Sequence, residues 1–152
     1  AWTDYSVDLR YRLDFADIYW AAARVGYGVN GFTFSGVDAG LEDLAEAKYK
    51  SLKFGLLSGA RFDTIDVYLG FNLYQVQEAG AVQARFQSSA ITAFGLQLGG
   101  MMPISGNIVI TARLLYDRFA YTFGDPPAGQ TYDASSAVDQ LFGLAVGVGY
   151  RM

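Results

Sequence analysis

Carboxylates and guanidiniums are the side chains of this 152-residue chain that could do chemistry, because histidine and cysteine are both absent. That removes Ser-His-Asp triads, Cys-His pairs and thiolate or imidazole metal sites. Paired carboxylates could divide general acid and general base work. Pairs close in sequence such as Asp14/Asp17 and Glu42-Asp43 fall in loop-like stretches where solvated charge is the expected role. Gly26-Tyr27-Gly28 and Gly147-Val148-Gly149 look like fragments of a phosphate-cradling loop, but no helix pattern follows either one. No catalytic residue, cofactor site or metal site is therefore expected. What remains is a series of ions at alternate positions: Asp8, Arg10, Arg12, Arg24, Lys53, Arg61, Asp66, Arg113, Asp117, Asp139 and Arg151. Such spacing puts them on one face of β-strands, so their chemistry depends on what that face meets.

The last twelve residues, L-F-G-L-A-V-G-V-G-Y-R-M, show the positioning elements most clearly. Phe142, Leu144, Val146, Val148, Tyr150 and Met152 fall on one face, and Leu141, Gly143, Ala145, Gly147, Gly149 and Arg151 on the other. A strand greasy on one side and small or charged on the other suits a transmembrane β-barrel with a filled polar interior. In a soluble barrel the second face would be the outer one, and would carry Lys, Glu and Thr where this chain has Gly and Ala. Hydrophobic residues make up 52% of the chain and charged ones 17%, yet no eighteen apolar residues run uninterrupted, so a membrane helix is excluded. The net charge of −4 argues against a nucleic-acid partner. The opening A-W-T-D has no basic or apolar leader region, as expected of a precursor cut before Ala1 or of a trimmed chain.

A single domain over residues 1–152 has room for eight spanning strands of roughly 9–11 residues each, an all-β, closed antiparallel barrel. The alternation predicts strands over residues 3–13, 19–29, 32–41, 51–62, 65–76, 88–99, 108–119 and the C-terminal stretch. Asn30-Gly31 reads as a hairpin turn, Asp63-Thr64 as another, and Met101–Asn107 carries Pro and Gly where a ladder must stop. The third strand needs a β-bulge at Ser35-Gly36 to keep Asp38 off the outward face. With the C-terminus periplasmic, most short connections share its side and the long ones the other, except for the short Asp14–Ile18.

Turn geometry then pairs the ions. Phe62 opposite Ile65 sets Arg61 against Asp66, and Leu13 opposite Tyr19 would set Asp8 against Arg24. In an eight-stranded interior just wide enough for side chains, these ions form a salt-bridge network and no open pore. Tyr5, Tyr11, Tyr19, Tyr27, Tyr116 and Tyr150 are outward and suit an interfacial girdle.

On these residues the chain resembles the small outer-membrane β-barrels of Gram-negative bacteria, the OmpA/OmpX-like class. The ending V-G-V-G-Y-R-M is similar to the assembly signal of that class, which implies that Val146, Val148, Tyr150 and Met152 are read by the barrel-insertion machinery. The class usually ends in Phe, so Met152 departs from it. The resemblance implies an integral outer-membrane location, lipid as the surrounding partner, and a role as anchor or adhesin. Two further readings stay open: a subunit docking to other envelope proteins, and a narrow conduit for ions or small hydrophobic ligands. L-R-Y-R-L-D-F-A-D also looks like the second strand and first periplasmic turn of the class. In that case Asn30-Gly31 lies in an external loop, seven strands remain, and the eighth is missing or supplied by a partner's edge pairing.

Overall fold

Alternation is carried through seven strands in a computed structural model that describes residues 2–32, 47–85, 90–124 and 135–150. They are β1 (Trp2–Phe15), β2 (Tyr19–Phe32), β3 (Ala47–Phe62), β4 (Ile65–Gly80), β5 (Ala90–Ser105), β6 (Ile108–Thr122) and β7 (Ser136–Tyr150). A single helical turn, α1 (Ala81–Arg85), follows β4. All seven form one antiparallel meander in chain order, so the protein is all-β. Among the described residues the count is seven, as in the second reading of the sequence. Asn30 and Gly31 are not a hairpin turn: they pair with Asp4 and Thr3 on one side and with Tyr49 and Lys48 on the other. Two flanking ladders outweigh the local preference of an Asn-Gly pair for a turn. The strand expected over 32–41, apart from Phe32 at the end of β2, lies outside the described residues.

The short turns follow from local chemistry. Asp63 adopts a left-handed φ of 53° in the two-residue Asp63-Thr64 turn, and Gly106 a φ of 53° after β5. Ala16 takes the same φ of 53° at the β1–β2 turn, which its Cβ opposes. The Arg61 N–H donates to the Ile18 carbonyl at 2.7 Å, tying that turn to β3. β5 runs through Pro103 to Ser105, beyond the end of the β4–β5 ladder at Met101, where a residue without an N–H is tolerated. All three short turns lie on the side where β7 ends, and the three longer connections on the other. Asp14–Ile18, expected on the long side, joins the short ones because β2 pairs directly with β3.

Successive turns are staggered. Tyr19 pairs with Ala60, yet β3 continues two residues to the Phe62–Ile65 pair before turning. Asp66 pairs with Met101, yet β5 continues four residues to Ser105. The sheet is also curled. The Tyr49 hydroxyl of β3 donates to Asp139 of β7, four strands away, a distance of about 19 Å in a flat sheet at about 4.8 Å per strand. The core sits on the concave face in two clusters. Tyr49, Tyr74, Phe119, Tyr121 and Leu141 pack toward the long connections, and Trp20, Ala22, Leu57 and Tyr68 toward the short turns.

Candidate functional site

The concave face gathers the ions. At the short-turn end Asp66 is 5% exposed and accepts from Arg61 Nε at 3.0 Å and from Arg12 at 3.4 Å. Arg61 and Asp66 are direct cross-strand partners, as the turn predicts. Arg12 also binds Asp14 at 2.6 Å, and its guanidinium lies 4.4 Å from the centre of the Trp20 ring. Halfway up, buried Arg24 hydrogen-bonds Asn72 of β4 and sits 3.8 Å from Asp8. The expected Asp8–Arg24 pair thus exists, but diagonally, because Phe15 rather than Leu13 faces Tyr19 and Asp8 faces Gly26. Nearer the long connections the Tyr74 hydroxyl donates to Asp117 at 2.5 Å, and the Lys53 ammonium stands 5.6 Å from the Tyr74 ring centre. Above them Tyr121 donates to Tyr49, which donates to Asp139, with Tyr49 stacked on Phe119 at 4.0 Å.

Of the predicted ions, Asp8, Arg12, Arg24, Arg61, Asp66, Lys53, Asp117 and Asp139 meet partners across this face. Arg10 and Arg113 are exposed and make no ion pair among the described residues, and Arg151 and Met152 lie outside them. Sequence reasoning missed Tyr49, Asn72, Tyr74 and Tyr121 as partners. Tyr49 stands just before the strand predicted over 51–62, although the period of two continues upward from Lys53 through Ser51 to it. Among the described residues no group of three His, Cys, Asp or Glu could hold a metal ion.

Interior glycines make room for this packing. A Cβ on Gly59 would stand 2.5 Å from the Trp20 ring, and one on Gly70 2.5 Å from Gln97. Gly26, Gly55, Gly95 and Gly99 likewise lie opposite Asp8, Asn72, Asp117 and Tyr68. Each is the directly paired residue on a neighbouring strand, so a large side chain always faces a missing one.

The convex face is the other half of the arrangement. One register row reads Tyr11, Ala23, Leu56, Phe71, Leu96, Tyr116 and Phe142 across all seven strands. The outward residues run without a charge from Tyr5 to Phe15 on β1, Tyr19 to Val29 on β2 and Leu52 to Phe62 on β3. The same holds from Ile65 to Leu73, Phe94 to Ile104, Ile108 to Tyr116 and Phe142 to Tyr150 on β4 to β7. Every strand contributes five or six such positions, and the belt slides along the strands in step with the stagger of the turns. Its upper border is polar: Lys50, Gln75, Thr92, Arg118 and Gln140. There the Lys50 ammonium meets Glu78 at 2.5 Å, a hydrogen bond that raises the lysine above its ordinary range. Tyr5, Tyr19, Tyr27, Tyr116 and Tyr150 stand at or near the ends of the belt, whereas Tyr11 stands within it. Val146, Val148 and Tyr150 are outward and 70–76% exposed.

Comparison with known protein families, curated proteins and solved structures finds no match to this chain. Fold and surface define its class: an all-β antiparallel meander with exposed apolar strand faces.

Proposed function

We propose that this chain is a non-enzymatic integral β-barrel of the bacterial outer membrane. Its polar interior is plugged by side chains, and its long connections serve as an anchor or binding scaffold outside the membrane. One observation carries this reading: the belt of uncharged, mostly large outward side chains keeps one height around all seven strands. Nine to eleven residues at about 3.3 Å each, tilted by about 45°, give a band roughly 21–26 Å tall, the height of a barrel's lipid-facing zone. Soluble monomers rarely expose contiguous apolar patches beyond a few hundred Å². The short turns on the side where β7 ends support a periplasmic C-terminus.

Partners of interior ions come from strands on opposite sides of the concave face, which supports a plug over a conduit. In planar bilayers the plugged chain is expected to give no discrete conductance steps. Steps that change with Arg113→Ala would overturn the plug. The membrane reading itself is tested by electrophoresis: the chain folded in detergent resists unheated SDS and shifts its mobility on boiling. A chain that folds and stays dissolved without detergent would end it. A second reading, a subunit of an envelope complex, is favoured by the edges of β1 and β7, which pair with no further strand among the described residues.

A further inference from the structure

The concave face changes character at its waist. One inward register row reads Ala22, Leu57, Gly70, Gln97, Leu115 and Gly143 from β2 to β7. Ions and rings stand in the rows above and below, but here the side chains are small or aliphatic apart from Gln97. This row lines a mostly apolar cavity of about 1150 Å³, large enough for a small organic ligand. The next inward row toward the long connections holds Arg24, Asn72 and Asp117. Beyond it the stacked rings of Tyr74, Phe119 and Tyr49 separate the cavity from the strand ends on that side. Toward the short turns Trp20 and Tyr68 form the floor. Apolar walls hold water poorly, and an empty space of this size forgoes the contacts that close packing gives.

The polar groups around this space define what fits it. Three buried nitrogens have no hydrogen-bond partner: Gln97 Nε2 in the cavity row, Trp20 Nε1 in the row below and Arg24 Nε in the row above. Gln97 lines the cavity and is 4% exposed. All three are donors, and a buried donor left unpaired is costly. Charge points the same way. Arg12 is taken up by Asp66 and Asp14, whereas Arg10 and Arg113 make no ion pair among the described residues. Both bear on Arg24 as like charges. We propose that the cavity binds a single-chain carboxylic acid, its acyl chain between Leu57 and Leu115, its carboxylate accepting from Gln97 and paired with Arg113. A carboxylate supplies both things these groups lack, an acceptor and a negative charge; an alkylammonium supplies neither. The site lies on the concave face, so it goes beyond the membrane reading and does not depend on it.

Trp20, on the cavity floor, can report occupancy. With Trp2→Phe it is the sole tryptophan of the chain. This variant, folded in a non-ionic detergent, is titrated with a terminally brominated undecanoate, whose bromine quenches indole fluorescence at short range. Quenching is expected to saturate at one acid per chain and to be reversed by plain undecanoate but not by undecanol. Arg113→Gln, at an exposed position without an ion pair, should weaken the acid about tenfold or more. Ala22→Phe, which fills the cavity, should abolish saturation; if that variant fails to fold, Arg113→Gln decides alone. Quenching that rises without saturating, equal displacement by undecanol, or a midpoint unmoved by Arg113→Gln would each overturn the proposal. A chain that folds and binds the acid without detergent would uphold this site and end the membrane reading.

Discussion

Asp66 carries more than any other ion of the concave face, since two arginines from different strands converge on one nearly buried carboxylate. Asp66→Ala leaves Arg61 and Arg12 without that acceptor and is expected to lower stability by about 1.5–3 kcal/mol, the range for hydrogen bonds to charged groups. Asp66→Asn keeps an acceptor and should cost less; urea unfolding of the detergent-folded chain ranks the two. The glycine cradles make a second prediction at this scale. Gly59→Leu drives its side chain into Trp20 and should cost about 1–3 kcal/mol through overpacking, read as a lowered urea midpoint. The Arg61–Asp66 pair is legible in sequence because a two-residue turn fixes its register within a few residues. Tyr49 and Asp139 are not, since ninety residues and the curl of the whole sheet separate sequence from contact.

At the scale of elements, the turns and belt can be tested separately. Ala16 holds a left-handed backbone that glycine adopts freely, so Ala16→Gly should stabilise the chain by up to about 1 kcal/mol, seen as a raised urea midpoint. A charge placed within the belt meets a different environment from one placed above it. Leu96→Arg, mid-belt on β5, should cost about 2–4 kcal/mol in lipid vesicles, and Gln75→Arg, beyond the border on β4, about 0–1. Equal costs would remove the belt's meaning. Period-two patterning made all seven strands and their facing directions readable, because large and small residues alternate so regularly. Asn30-Gly31 misled for a physical reason: a turn preference is local, whereas the two ladders that hold β2 straight there are made with residues far along the chain.

For the whole molecule, the chain order of the sheet matters most. Every backbone ladder joins strands adjacent in sequence, and contacts across the concave face are made by side chains alone. Among the described residues such a sheet has no long-range backbone clasp. Drawn out by an atomic-force tip attached at the β7 end, it should therefore yield like a zipper. The force–extension trace should show a series of modest peaks spaced by one strand or one hairpin of contour length. A single tall rupture would instead mean that the knot around Asp66 and the Tyr121–Tyr49–Asp139 chain grip the strands collectively.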